Sequence, residues 1–213
     1  MPSILLIDDH PIFRHGLKDV LSHQREFSDV GEAGDAKEAW EQLRRQEWDA
    51  VILGINLPGT SGLELLTELK RQHPRMPTLV LSLYPEDQYA TRMLKAGASG
   101  YLTKDRSSEE LVGALRKILR GEKYVSDSLA QKFASEIDKP SPAPHDLLSN
   151  REFEIAKMIA AGKPPRVIAK ELFLSPRTIN TYRARILQKL KIKNNAQLIQ
   201  YVLQNNLFEL GTD

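Results

Sequence analysis

The sequence contains no cysteine. This absence excludes a disulfide scaffold, a thiolate nucleophile and any zinc or iron–sulfur site that depends on cysteine ligands. Long apolar runs are also missing: only four consecutive apolar residues precede the first two aspartates, and no stretch approaches the ~18 residues of a membrane span. We therefore expect no signal peptide, no anchor and no membrane partner, and predict a soluble cytoplasmic protein.

A strong excess of either charge is lacking as well, since 30 Lys+Arg face 28 Asp+Glu over 213 residues. The two signs of charge are nevertheless distributed unequally along the chain. Residues 146–213 carry 11 Lys+Arg against 6 Asp+Glu, whereas the preceding residues carry 19 against 22. A basic rear part predicts a polyanion such as nucleic acid as its partner, with a merely solvated basic face as the alternative.

A proline-rich stretch separates the two parts. Residues 138–145 include three prolines in eight positions and show no apolar periodicity, which indicates a semi-extended spacer rather than a helix or a central strand. We predict a first domain over residues 1–123, a linker with a short helix over 124–146 and a second domain over 147–213.

The first part alternates short apolar runs with helical patterns. The runs are typical of strands buried on both faces. Apolar residues at helical spacing lie between the runs, and Ser108 is predicted to cap the last of these helices. Five such units predict an α/β fold with a five-stranded doubly wound parallel sheet. The predicted strands lie at residues 4–7, 28–33, 50–53, 78–83 and 100–103.

Polar side chains follow several of the predicted strands. In a parallel sheet these strand ends meet at one edge, which would bring Asp8 and Asp9 close to Ser82 and Lys104. Adjacent carboxylates repel each other unless a cation lies between them, and a hard ion such as Mg²⁺ suits them. The alternative is that the acid pair only caps the helix that begins near Pro11. The hydroxyl and ammonium groups at matching strand ends favour a phosphoryl-binding site.

These residues resemble a bacterial response-regulator receiver domain. The resemblance covers about residues 3–123 and rests on the motifs LLIDDHP, LGINLPGTSG, LVLS and SGYLTKD. It implies a flavodoxin-like fold, phosphorylation of an aspartate by a partner histidine kinase, and a regulatory rather than an enzymatic role. It further implies a Mg²⁺ site and a phosphoryl-binding switch, comprising Asp8, Asp9 and Asn56 for the ion and Ser82, Tyr101 and Lys104 for the switch.

The residue that such a domain phosphorylates is missing. The resemblance places it at the end of the third strand, where this sequence has Gly54. Glycine offers no acceptor oxygen, and the nearby Asn56 cannot replace it because its side chain is an amide. We therefore predict that aspartyl phosphorylation is absent and that Mg²⁺ binding is weak or absent. Two origins stay open: a natural receiver that no longer uses phosphorylation, and a deliberate replacement that silences it.

The second part contains four helical segments and no plausible strand. A capping box is predicted at Ser149–Glu152, and Ser175 before Pro176 predicts the start of the third helix. Val167 in the second helix and Leu203 in the fourth are predicted to face the core. The third helix exposes basic and amide side chains opposite an apolar stripe, as a helix-turn-helix reading helix does. An ordinary four-helix module is the alternative. The candidate DNA-contacting residues are Arg177, Thr178, Asn180, Thr181, Ala184, Arg185 and Lys189.

This part is similar to the LuxR-type DNA-binding domain of the NarL/FixJ response regulators. The segments LSNREFEIAKMIAAGK and IAKELFLSPRTINTYRARILQKLKIKNNAQLI carry the resemblance over nearly all of residues 147–207. Pro164, Pro165 and Ala184 depart from the usual pattern, so base specificity does not carry over. The resemblance implies a transcription factor that binds promoter repeats as a homodimer, with RNA polymerase as a further partner. A protein-interaction module with a vestigial receiver is the alternative.

Overall fold

The computed structural model of the chain describes residues 1–27, 29–84, 86–127, 129–131, 144–205 and 207. The chain divides into two compact units, which comprise residues 1–137 and residues 138–213. The predicted spacer at residues 138–145 lies outside the described residues except for its last two positions. Among the helices that the described ranges contain, none is long and apolar enough to cross a membrane.

The first unit is built on a parallel sheet. In chain order its strands are β1 (Ser3–Ile7), β2 (Asp29–Ala33), β3 (Ala50–Gly54), β4 (Asn56–Leu57), β5 (Thr60–Ser61), β6 (Thr78–Ser82) and β7 (Gly100–Thr103). Five of them pair in parallel in the order β2-β1-β3-β6-β7, which confirms the predicted doubly wound sheet. The strands β4 and β5 form a short antiparallel hairpin that the sequence did not predict.

Helices cover this sheet, and they are α1 (Pro11–Ser22), α2 (Ala36–Arg45), α3 (Gly62–Gln72), α4 (Glu86–Lys95) and α5 (Ser108–Leu119). Apolar runs in the strands form the core, because parallel strands bury both faces. The cap of α5 is Ser107 rather than the predicted Ser108, since Ser107 has extended backbone and its Oγ accepts from the Glu110 N–H.

The first unit continues beyond the predicted boundary at residue 123. The Tyr124 N–H donates to the Ser99 carbonyl at 2.9 Å, and Tyr124 pairs in parallel with Gly100 beside β7. Leu129 is also buried. Residues 124–131, where they are described, therefore belong to the receiver-like unit instead of the predicted linker, because the backbone after α5 extends the sheet edge. The helix predicted within the linker lies largely outside the described residues.

The second unit is helical in its described part. A short 3₁₀ turn, Pro144–Leu147, precedes α6 (Asn150–Ala160), α7 (Pro165–Glu171), α8 (Pro176–Lys189) and α9 (Asn195–Gln204). The predicted capping box and the Ser175 cap are confirmed. Val167 and Leu203 are exposed, contrary to prediction, because Ile168 and Val202 beside them take the buried positions. Consecutive residues on a helix point about 100° apart, so the neighbour of a fully buried residue can lie at the exposed edge of the buried face.

Candidate functional site

Polar side chains from three strands meet at the carboxyl edge of the sheet. Asp8 follows β1, Ser82 ends β6 and Lys104 follows β7. The Lys104 Nζ lies 2.6 Å from Asp8 Oδ2, and the two side chains are 9% and 6% exposed. The structure thus joins Asp8 and Lys104 as a buried ion pair, while Ser82 lies at the end of a neighbouring strand.

Gly54 ends β3 beside this pair. A Cβ atom at position 54 would lie 2.6 Å from Asp8 Oδ2 and 3.3 Å from the Ile7 carbonyl oxygen. Real Cβ atoms do not approach an oxygen so closely, so the Asp8 carboxylate fills the space that a side chain at position 54 would need. The same oxygen, Oδ2, holds the Lys104 ammonium.

The second oxygen of the Asp8 carboxylate is also engaged. The His10 N–H donates to Asp8 Oδ1 at 3.0 Å, and His10 Nδ1 lies 2.7 Å from Asp9 Oδ1. Arg14 Nη1 donates to the Asp8 carbonyl at 2.5 Å and fixes the backbone at the strand end. His10 follows the acid pair directly in the sequence and contacts both carboxylates at this edge of the sheet.

These contacts determine whether Mg²⁺ fits. Ligand atoms of Asp8, Asp9 and His10 lie within 4.8 Å of one another. However, both Asp8 oxygens already accept from Lys104 and His10, and Gly54 supplies no carboxylate oxygen beside them. Mg²⁺ needs several free oxygen ligands in near-octahedral geometry. The donor set predicted from the sequence therefore does not fit Mg²⁺ in this arrangement.

Two of the predicted switch residues, Ser82 and Tyr101, contact Tyr84, which sequence reasoning missed. The Ser82 Oγ accepts from the Tyr84 N–H at 2.9 Å, and the Tyr101 hydroxyl donates to the Tyr84 carbonyl at 2.8 Å. Tyr101 is fully buried, and the Tyr84 ring stacks on Tyr89 with centroids 4.8 Å apart. The loop after β6 is therefore held against the pocket. No periodicity marks a loop aromatic of this kind in the sequence.

A different surface forms on α8 in the second unit. Ser175 caps the helix, with its Oγ accepting from the Thr178 N–H at 3.1 Å, and the first turn contains no acidic residue. Ile179 and Ile186 are fully buried. The positive end of the helix dipole is therefore exposed next to Arg177, which suits an anionic partner.

The structure places most of the predicted DNA-contacting residues on this exposed face. Thr178 is half-buried, and the Thr181 hydroxyl donates to the Arg177 carbonyl at 3.1 Å. A concave surface is lined by Ser175, Arg177, Thr178, Thr181, Tyr182 and Arg185. The exposed residues of the predicted set are Arg177, Asn180, Thr181, Ala184, Arg185 and Lys189.

Lys189 differs from the others because its ammonium group turns back to its own unit. It lies 2.6 Å from Glu152 Oε2 and donates to the Leu147 carbonyl at 3.1 Å. Burial opposes ionisation of Glu152, but Lys189 and Ser149 outweigh it and hold the pKa of Glu152 below its usual value. The sequence could not show this, since helical spacing puts Lys189 on the same face as the other predicted DNA-contacting residues.

Arg151 is a second residue that sequence reasoning missed. Its guanidinium is buried, with Nη2 donating to the Leu172 carbonyl at 3.0 Å and Nη1 lying 2.8 Å from Glu154. Leu172 is the last residue before the turn to α8. Arg151 therefore ties α6 to the turn that sets the orientation of the exposed helix.

Comparison with known proteins identifies both units. Residues 4–116 match the family described as response regulator receiver domain. Residues 146–202 match the bacterial regulatory proteins of the luxR family. Receiver domains typically bind Mg²⁺ at their phosphorylation site.

Whole-length relatives have the same two-part arrangement. The chain is 35% identical over 211 residues to response regulator GacA of Pseudomonas viridiflava, covering 98% of this chain and 99% of that protein. It is 32% identical to response regulator UvrY of Escherichia coli, covering 100% and 98%. The solved two-component response regulator RcsB–DNA complex has a TM-score of 0.59 at 25% identity, covering 95% and 98%. The chain therefore belongs to the NarL/FixJ family of two-component response regulators, with a receiver domain followed by a LuxR-type DNA-binding domain.

Proposed function

We propose that this chain is a cytoplasmic transcriptional regulator that binds promoter DNA without needing aspartyl phosphate. The exposed face of α8 carries the DNA-binding part of the proposal. Arg177, Asn180 and Arg185 lie there in solvent, opposite the buried Ile179 and Ile186. Arg and Asn side chains match base edges in the major groove, and the capped helix start suits a phosphate.

Regulation without aspartyl phosphorylation follows from the missing side chain at position 54. A histidine kinase that docks on this receiver finds no acceptor oxygen at Gly54, and the neighbouring carboxylate of Asp8 is bound to Lys104. The regulator therefore responds to its own concentration or to a partner protein instead of to a phosphoryl group. A catalytic role is not part of the proposal, because the site contains no free nucleophile beside a base.

DNA binding by so small a module needs two copies. A single helix reads only a few base pairs, and dimers gain affinity by occupying two half-sites. We therefore place the chain as a homodimer on promoter repeats, where RNA polymerase is the next partner. The solved complex of RcsB with DNA supports the DNA-binding part of this proposal.

The first test is the salt dependence of binding to duplex DNA, followed by fluorescence anisotropy. Phosphate contacts release counterions, so affinity should fall at least tenfold between about 50 and 200 mM salt. A chain with Arg177→Glu and Arg185→Glu should lose binding. The matched control changes Arg44 and Arg45 of α2 to Glu, the same change in charge outside the DNA-binding unit.

Two outcomes of the anisotropy experiment would contradict the proposal. Equal affinity at both salt concentrations, or equal loss in the two double variants, would overturn the assignment of α8 as the reading helix. If the chain is a protein-interaction module, the variant with Arg177→Glu and Arg185→Glu should keep its regulatory activity in the cell. If the chain is a DNA-binding regulator, the same variant should lose that activity.

A further inference from the structure

In the receiver pocket of this chain, the buried Asp8 carboxylate is paired with a side-chain cation. Asp8 and Asp9 supply two carboxylates, and the Lys104 ammonium lies 2.6 Å from Asp8 Oδ2. Lys104 also lies 4.2 Å from the centre of the Phe13 ring, which further favours a cation at this position. The pair is almost fully screened from solvent, so its attraction is weakened little by water or salt.

Gly54 is what makes this arrangement possible. Asp8 Oδ2 lies 2.6 Å from the point that a Cβ at position 54 would occupy. Any side chain there would push the Asp8 carboxylate away, and an aspartate would add a negative charge for Lys104 to contact. Loss of the side chain therefore lets Asp8 move into its place and take Lys104 as partner.

We propose that Asp8 replaces the missing acceptor as the partner of Lys104, and that this ion pair closes the Mg²⁺ site of the receiver. Asp8 is thus a positioning residue that fixes Lys104, and Lys104 serves as the resident cation. The inference deepens the proposed function, since it explains how the pocket stays ordered with neither metal nor phosphoryl group.

The main test is thermal unfolding of the full chain with and without millimolar Mg²⁺. Both tryptophans, Trp40 and Trp48, lie in the first unit, so their fluorescence reports on the receiver alone. The melting temperature of the chain should not change with Mg²⁺. Gly54→Asp should displace the Asp8 carboxylate and restore a third carboxylate to the pocket. The melting temperature of this variant should therefore rise by roughly 5 °C when Mg²⁺ is added. Asparagine has the same size as aspartate but no charge, so the melting temperature of Gly54→Asn should rise much less with Mg²⁺.

Two further variants separate the roles within the pair. Lys104→Met keeps the apolar stem and leaves Asp8 unpaired, so it should melt roughly 10 °C lower without Mg²⁺ and recover part of that loss when Mg²⁺ is added. Asp8→Asn should also melt lower, but Mg²⁺ should not rescue it. A residue with a merely structural role would not change the response to the ion.

Several results would overturn the inference. These are a Mg²⁺-dependent rise in the unaltered chain equal to that of Gly54→Asp, a Lys104→Met variant that ignores Mg²⁺, and a similar rise with Mn²⁺ or Zn²⁺ held by Asp8, Asp9 and His10. None of these measurements involves DNA. Failure here therefore leaves the DNA-binding proposal untouched, and failure of DNA binding leaves the ion pair untouched.

Discussion

Two basic residues on α8 lie four positions apart and have different surroundings. Arg185 is exposed on the face that is proposed to contact DNA, whereas the ammonium of Lys189 contacts Glu152, which is 3% exposed. Helical spacing puts both on one face, so the sequence alone predicts the same role for both. Only the packing of α6 against α8 shows that Lys189 neutralises a buried carboxylate.

We therefore expect Lys189→Ala to weaken the second unit rather than DNA binding. Removing the partner of a buried charge should cost about 1–2 kcal/mol at pH 7, and hydrogen exchange of the α6 and α8 amides should become faster. The salt slope of DNA binding should stay unchanged. Arg185→Ala is the matched control, with unchanged exchange and a smaller salt slope.

The effect of Lys189→Ala should depend on pH in a defined direction. The folded-state pKa of Glu152 lies below its usual 4.5, so its contribution is complete above the unfolded-state pKa and is lost as pH falls through the folded-state pKa. The difference between parent and variant should therefore shrink below about pH 4.5. A difference that grows on acidification would contradict this pairing.

At the scale of elements, periodicity predicted the five parallel strands and the helices of the second unit well. It missed the β4–β5 hairpin because two-residue strands are too short to show alternation. It placed the α5 cap one residue late because Ser107 and Ser108 are equivalent until the backbone angles are known. It also gave Val167 a buried position, since a seven-residue helix leaves little periodicity to judge.

The turn between α7 and α8 carries a strained residue. Phe173 has a positive φ of 54° and is 73% exposed, so its ring gains little from packing. Left-handed backbone costs a residue with a side chain roughly 1 kcal/mol. Phe173→Gly should therefore stabilise the second unit by about 0.5 kcal/mol, net of the greater freedom of glycine in the unfolded chain.

The measurement is chemical denaturation followed by far-ultraviolet circular dichroism. Phe173→Ala is the control, because it removes the ring yet keeps the strained backbone with a Cβ atom. Stabilisation by glycine but not by alanine would identify the strain as the cause. Equal stabilities for both would show that the exposed ring, and not the backbone, determines the effect.

At the scale of the whole molecule, the two domains and their chemistry could be predicted from the sequence more fully than the state of the pocket. Strand ends in a parallel sheet meet at one edge, so Asp8, Ser82 and Lys104 were expected to converge. The direction in which the Asp8 carboxylate turns was not predictable. It depends on the space left by Gly54, which appears only when β1 and β3 are side by side.

The last prediction concerns signalling through the whole chain. Treatment with an acyl phosphate and Mg²⁺ should leave the mass and the dimer fraction of this chain unchanged, because position 54 offers no carboxylate. Gly54→Asp should gain a phosphoryl group, and its dimer fraction and DNA affinity should rise together, since phosphorylation favours the dimer-competent receiver. Gly54→Asn is the control that fills the space without an acceptor. Phosphorylation of the unaltered chain on a carboxylate would refute this assignment of the pocket. A Gly54→Asp chain that gains the group but neither dimerises nor binds DNA more tightly would show that this receiver does not control its DNA-binding domain through position 54.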